Sequence, residues 1–205
     1  MLNLVLTGGS GSGKTAIQKI LEQNFGERLS LVKELASEVL RDFHCAVGDM
    51  DPATIRQVQR EIYVRQKYRE REALAIAPAG ARVLLLDRGT IDGAAYWPEG
   101  PDAFWTAMGT SHADELSRYD AAVWLETAAA VGLYPGEESN QVRKEDAMDS
   151  LMRGDRILAL WRPHPKLTIV RASPDFDVKV QTVLALTQEL IGLATESSDT
   201  VRGLR

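Results

Sequence analysis

Five short apolar runs punctuate the chain, at residues 2–6, 30–33, 82–87, 121–125 and 167–171, and the segments between them are long enough for helices. Such alternation predicts an α/β fold: a mostly parallel sheet covered by helices on both faces. The run Val83-Leu84-Leu85-Leu86 has no polar alternation, as a central strand buried on both sides requires. Between the strands the spacing turns helical. Ile17, Ile20, Leu21 and Phe25 make an apolar stripe over the helix expected at 14–24. Asp51-Pro52 is a capping residue followed by a first-turn proline, and it opens a long helix that Pro78 and Gly80 end after about Ala77. The face of that helix begins with Ile55, Val58 and Ile62 and continues as Arg65 and Arg69. Two readings stand for this switch: a solvated half paired with glutamates, or a basic wall facing a ligand. A loop over 127–142 leads to a helix from about Lys144 to Trp161, with Ala147, Leu151, Leu158 and Trp161 facing inward. The last helix is expected over about 174–194, capped by Ser173-Pro174-Asp175. The polar stretch 196–205 reads as a flexible tail, which leaves 1–195 as one domain.

Composition narrows the class. A chain of 205 residues with 44% hydrophobic and 26% charged residues has the balance of an ordinary soluble protein. It has no run of about 18 apolar residues, so no membrane-spanning helix is expected. Met1-Leu2-Asn3-Leu4-Val5-Leu6 lacks a basic start and a cleavage site and reads as a strand, which makes the cytoplasm the expected location. Cys45 has no partner for a disulfide or a zinc site and reads as a packed residue. The net charge of −5 argues against an extended nucleic-acid footprint, while a local phosphate pocket stays open.

The strongest chemical signal is Gly8-Gly9-Ser10-Gly11-Ser12-Gly13-Lys14-Thr15, placed between the first strand and the first helix. It satisfies G-x-x-x-x-G-K-[ST], the phosphate-binding loop. Its glycines let backbone N–H groups converge on phosphate oxygens, and the helix that follows adds a favourable dipole. Lys14 serves the β- and γ-phosphates, and the Thr15 hydroxyl is a magnesium ligand. Such a loop needs an acidic partner at the end of a neighbouring strand, and Asp87 is placed there, making Thr15 and Asp87 the metal pair. Arg88 reads either as a holder of an anionic acceptor group or transferred phosphoryl, or as a salt-bridge partner. Residues 89–118, with Tyr96, Trp97, Phe104 and Trp105, read as short helices on the side distal to the nucleotide. Arg143, at a loop-to-helix transition with Lys144 behind it, is the expected cation of a lid over 127–147. Arg153 and Arg156 further along read as a solvated face. Glu34, after the second strand, is a candidate general base for a substrate hydroxyl.

Taken in order, the phosphate loop, Glu34, the Asp51-Pro52 helix, the block Asp87-Arg88-Gly89-Thr90-Ile91-Asp92-Gly93-Ala94-Ala95-Tyr96 and Val142-Arg143-Lys144-Glu145-Asp146 resemble a known set. The set is that of the P-loop ATPase domain family that includes the nicotinamide riboside kinase domain of a bacterial NAD regulator. The block from Asp87 also looks like the corresponding step of thymidylate and deoxynucleoside kinases. The resemblance implies a three-layer P-loop NTPase with a five-stranded parallel sheet in the order 2-3-1-4-5. It also implies ATP with Mg2+ as donor, and a small hydroxyl-bearing acceptor such as a nucleoside. Asp87 and Arg88 would then lie at the transfer centre and Asp92 and Tyr96 on the acceptor side, with Arg65 available to the acceptor. From the residues alone Asp92 could equally be a helix cap and Tyr96 a packed ring. Where the family often carries an arginine shortly after the glutamate, this chain has Leu35-Ala36-Ser37.

The expected function is therefore a small-molecule kinase acting on a nucleoside-like or riboside acceptor. The alternative is a nucleotide-dependent switch that signals to a protein partner through its lid or an exposed cluster of Trp97, Phe104 and Trp105. No N-K-x-D guanine-reading sequence is present, so ATP is favoured over GTP.

Overall fold

The apolar runs become the strands of one sheet: β1 (Leu2–Thr7), β2 (Leu29–Val32), β3 (Val83–Asp87), β4 (Ala121–Leu125) and β5 (Leu167–Val170). The computed structural model describes residues 1–46, 48, 50–133 and 147–202, with side chains as far as Glu196. All neighbouring strands are parallel, in the order β2-β3-β1-β4-β5. Leu6 stands beside Asp87 on one side and Val123 on the other, so the end of β1 that leads into the glycine loop is flanked by β3 and β4.

Strand alternation sends successive residues to opposite faces, and both faces are apolar. Leu84, Leu86 and Trp124 pack against helices α3 (Pro52–Ala75) and α6 (Ala147–Trp161) and against the segment that follows β3. Val83, Leu85 and Val123 pack against α1 (Lys14–Phe25) and α7 (Phe176–Arg202). The short α2 (Ala36–Asp42) seats Val39 and Leu40 on Val58 of α3.

Several elements differ from the sequence reading. The helix α7 continues past Ala194 to Arg202, because neither proline nor a further glycine interrupts it between Gly192 and Gly203. The buried face of α6 is Ser150, Gly154, Ile157, Leu158 and Trp161, whereas Ala147 is exposed and Leu151 half-buried. The α6 backbone approaches the glycine loop closely, and small residues hold that face. The segment 90–96, a short 3-10 helix, is not distal to the loop: the Thr7 hydroxyl of β1 donates to Asp92. Trp97, Phe104 and Trp105 are all buried, packed edge to face, so the partner surface expected there does not exist.

A polar seam joins α3 to the two short helices α4 (Pro101–Met108) and α5 (His112–Leu116). Glu115 of α5, 1% exposed, accepts hydrogen bonds from the hydroxyls of Tyr63 (2.7 Å), Thr90 (2.6 Å) and Thr110 (2.9 Å) and pairs with Arg118. Burial raises its pKa, but the three hydroxyls and Arg118 outweigh it and hold the carboxyl below the usual glutamate value. Its contribution to stability is fully present above the unfolded value of about 4.3 and is lost as pH falls through the lower folded value. Glu115→Gln is therefore expected to destabilise the protein near neutrality, with the gap to wild type closing as pH drops below about 4.3. Urea unfolding at a series of pH values measures this. A gap that stays constant into acid would show that the charge of Glu115 contributes nothing.

Candidate functional site

The glycine loop wraps the start of α1 as its motif requires. Gly13 precedes the helix in a left-handed conformation (φ 91°), and no side chain caps the first turn, which also lacks acidic residues. The first-turn N–H groups of α1 therefore carry no side-chain acceptor, the arrangement that binds phosphate. The Lys14 Nζ lies over the loop, donating to the carbonyls of Gly8 (3.1 Å) and Gly9 (2.8 Å) and to Ser12 Oγ (2.9 Å). Gly8 has φ 131°, and a Cβ added there would fall 2.2 Å from the carbonyl oxygen of Leu125. Gly8→Ala is expected to cost about 2–3 kcal/mol through strain and overpacking, read by urea unfolding. Unchanged stability would mean that β4 yields freely.

Two other elements brace the loop. The Ser10 carbonyl accepts from the hydroxyls of Thr127 (2.7 Å) and Ser150 (2.6 Å), and the Lys179 Nζ of α7 donates to the carbonyls of Glu126 (2.5 Å) and Ser12 (3.4 Å). Burial pushes the Lys179 pKa down, partly countered by Glu126. Thr127 is thus part of the floor of the loop. Arg143 and the rest of the expected lid, 134–146, lie outside the described residues.

Asp87 ends β3 beside the loop. Its Oδ2 accepts from the Thr15 hydroxyl at 3.1 Å, while Oδ1 is buried without a hydrogen-bond partner among the described residues. One carboxylate oxygen on a hydroxyl and one left over fit a divalent cation whose remaining ligands come from phosphate and water. Among the described residues no cluster of three or more His, Cys, Asp or Glu side chains could hold a metal by itself.

Arg88 follows with a backbone that a side chain rarely adopts, φ 80°, a strain of about 1–3 kcal/mol. It is held there from both ends: its N–H donates to Leu6 O (2.9 Å) and its carbonyl accepts from Gln66 Nε2 (3.1 Å). The guanidinium is buried. Nη1 reaches Gly8 O and Asp92 Oδ2, both at 3.3 Å, while Nε and Nη2 have no hydrogen-bond partner among the described residues. Burial works against its charge, but Tyr96, Asp92, Glu34 and Asp87 more than offset it and raise its pKa. Asp92 is neither a helix cap nor unengaged. Its carboxylate takes the Thr7 hydroxyl, the Trp161 indole N–H (2.7 Å) and Arg88, although burial still holds its pKa above the usual value.

These residues edge a cavity of about 190 Å³ between α2, α3 and the 88–96 segment. Its lining combines apolar side chains, Leu35, Leu40, Met50, Ile55, Val58 and Ile62, with the polar Gln59, Gln66, Arg88, Asp92, Tyr96 and Arg153. Tyr96 and Asp92 are thus both among the residues that line it. Arg65 is not among its lining residues. It is bound by Glu38 (3.1 Å), Asp42 (2.6 Å) and Glu61 (2.7 Å), the solvated ion-pair reading of that face. Glu34 is half-buried, close enough to Arg88 to raise its pKa, and accepts from the Ser37 N–H at the start of α2.

Sequence reading missed the buried polar stripe of α3. Gln59, Tyr63, Gln66, Glu70 and Ala73 repeat at steps of four and three and face inward, a helical signal readable in the sequence once polar residues are admitted to the buried face. It also assigned Arg153 to solvent, whereas the residue is half-buried with its guanidinium 4.9 Å above the Tyr96 ring.

A family model described as an AAA domain matches residues 3–177. No curated protein matches the chain in sequence. Among solved structures, the NadR protein in complex with NR is similar at TM-score 0.69 and 16% identity, over 93% of this chain and 52% of that one. NadR in complex with NAD and AMP-PNP is similar at TM-score 0.65 and 17% identity, over 93% and 49%. Deoxyadenosine kinase from M. mycoides, with dCMP and dCDP bound, is similar at TM-score 0.59 and 10% identity, over 92% and 100%. The chain thus spans about half the length of the NadR chains, and at these identities the likeness is one of fold.

Proposed function

From the premise that this chain belongs to the AAA domain family, matched over residues 3–177, we propose that it is a small-molecule kinase that transfers the γ-phosphate of Mg-ATP to a hydroxyl of a nucleoside-like or riboside acceptor. The observation that carries the reading is the junction at Asp87-Arg88. There, three buried polar atoms without hydrogen-bond partners among the described residues stand between a phosphate loop and a cavity. Buried polar atoms of a native protein are almost always satisfied, so such a group points to a ligand. The names of the neighbouring folds, a deoxyadenosine kinase and a protein that binds NR, support an acceptor of this class.

In this mechanism the loop N–H groups and Lys14 hold the nucleotide phosphates. Thr15 and Asp87 would hold Mg2+, which neutralises charge on the β- and γ-phosphates. The acceptor lies in the cavity, its flat apolar part against Leu40, Val58 and Ile62 and its polar edge toward the buried Gln59 amide. Its hydroxyl oxygen attacks the γ-phosphorus, the bond to the β,γ-bridging oxygen breaks with the electron pair leaving on ADP, and the hydroxyl proton passes to Glu34. Arg88 turns its two remaining nitrogens, Nε and Nη2, to the phosphoryl group. Positioning and charge neutralisation supply the catalysis, with no covalent intermediate on the protein.

Thermal stability with Mg-ATP and Mg-GTP, followed by ADP formation across a panel of nucleosides and ribosides, tests the reading. Stabilisation by Mg-ATP and turnover on one acceptor class are expected. Tight nucleotide binding with no acceptor-dependent ADP would sink it.

A further inference from the structure

One carboxylate stands behind the strained turn at Arg88. Glu70 of α3 is 6% exposed; its Oε1 accepts from the Gln66 Nε2 at 3.0 Å and from the Tyr119 hydroxyl at 3.1 Å, while its Oε2 pairs with Arg118. Both of the first two donors also pin the turn, one on each side of Gly89. The Gln66 Nε2 donates to the Arg88 carbonyl at 3.1 Å, and the Tyr119 oxygen accepts the Thr90 N–H at 2.8 Å. Gln66 comes from α3 and Tyr119 from the loop before β4, and they meet at this carboxylate.

The chemistry of these groups gives the arrangement a direction. A side-chain amide has a donor end and an acceptor end of nearly equal size, and only the donor end can hold a carbonyl. Paired with Arg118, Glu70 offers acceptors only, so it keeps the Gln66 NH2 toward itself and toward Arg88. It also takes the Tyr119 hydrogen, which leaves an oxygen lone pair for the Thr90 N–H. Burial, and Glu70 beside it, push the Tyr119 pKa well above that of a free tyrosine, so the hydroxyl keeps the hydrogen it donates. A side chain at φ 80° persists only where surrounding contacts over-determine it, and these pins are such contacts. The Arg88 guanidinium reaches Asp92 through Nη1 alone, at 3.3 Å, which leaves the direction of Nε and Nη2 to the backbone.

We infer that Glu70 is a positioning residue for the transfer: acting through Gln66 and Tyr119, it fixes the 88–90 turn and so aims the Arg88 guanidinium at the phosphoryl group. The inference rests on the kinase reading above, in which Arg88 meets that group. Glu70 itself touches no reactant, and no bond is made or broken at it.

The test uses the full chain as wild type, Glu70→Ala, Glu70→Gln, Gln66→Met, Arg88→Met and the double variant of Glu70→Ala with Arg88→Met. ADP formation is measured on the best acceptor of the nucleoside and riboside panel, together with the Kd for Mg-AMP-PNP and urea unfolding of each variant. Glu70→Ala is expected to lose about 10²-fold in kcat, as a misaimed catalytic group does. It keeps the Kd within about threefold, because the phosphate loop is braced by Thr127, Ser150 and Lys179 instead. Arg118 keeps Glu115 as its partner. Gln66→Met loses a similar factor, and Glu70→Gln, which still offers an oxygen to Gln66 and Tyr119, recovers about tenfold. On the Arg88→Met background Glu70→Ala changes kcat by less than about threefold, since the group it aims is gone. Gln66→Met, taken through the same cycle, keeps the test open should Glu70→Ala not fold. A Glu70 that merely stabilises the protein gives losses that multiply with that of Arg88→Met. That result, or a wild type that turns over while Glu70→Ala and Gln66→Met stay within about threefold of it in kcat, overturns the inference and leaves the kinase reading intact. A wild type that forms no ADP with any acceptor overturns both.

Discussion

In the kinase proposed above, replacing Lys14 by methionine is expected to lower phosphoryl transfer by about 10³-fold or more while the protein still folds. Methionine has nearly the length of lysine and keeps the packing of the stem, which is 7% exposed. It removes the one side-chain ammonium of the glycine loop. The carbonyls of Gly8 and Gly9 and the Ser12 hydroxyl lose the donor that gathers them, and the β- and γ-phosphates lose a cation in a water-poor site. Single-turnover transfer with enzyme in excess separates this loss from weaker binding, and the far-UV spectrum checks the fold. Transfer within about tenfold of wild type would place the chemistry elsewhere.

The second large effect falls on stability. Asp92→Ala is expected to cost about 3–5 kcal/mol, because it leaves Arg88 buried beside the loop with its nearest carboxylate gone. The Thr7 hydroxyl and the Trp161 indole N–H lose their acceptor as well. These three donors reach Asp92 from β1, from α6 and from the residue that ends the β3 turn, so one carboxylate ties the loop strand to both walls of the site. Asp92→Asn keeps an acceptor oxygen for Thr7 or Trp161 and loses only the charge, and a cost of about half is expected. Urea unfolding of both variants distinguishes the terms. An alanine variant as stable as wild type would mean that Arg88 finds water on its own.

Much of the architecture was legible because it rests on local rules. The five strands were readable as apolar runs, and the loop as a motif whose glycines and lysine have fixed jobs. The long α3 announced itself by Asp51 and Pro52, and the Asp51 carboxylate does accept from the Thr54 N–H. What escaped depended on which side of a helix meets what. The stripe of α3 was read one position out of phase, through Ile62 to Arg65 and Arg69, because apolar residues alone were counted. The buried partner of α3 is a polar seam, so Gln59, Gln66 and Glu70 point inward while Arg65 and Arg69 reach out to carboxylates. Arg153 escaped for the same reason. Whether an arginine on a helix meets water or a cavity depends on the crossing of that helix over the loop, which Gly9 and Gly154 permit at a distance of 145 positions in sequence. The aromatics of 97–105 erred in the other direction, since their burial against α3 and β-sheet residues is a tertiary fact.

The position of β1 at the middle of the sheet has a consequence for biosynthesis. The strand that carries the phosphate loop pairs with β3 and β4, whose registers put Leu6 beside Asp87 and Thr7 beside Trp124. At usual rates of translation the ribosome delivers the second of these partners roughly ten seconds after the first strand. Until β4 follows, Leu4, Val5 and Leu6 can be covered by β3 on one edge only, and closing contacts so far apart is intrinsically slow. Nascent chains of this protein should therefore be clients of holding chaperones until Leu125 has emerged, and the nucleotide loop should acquire its ligand only after that point.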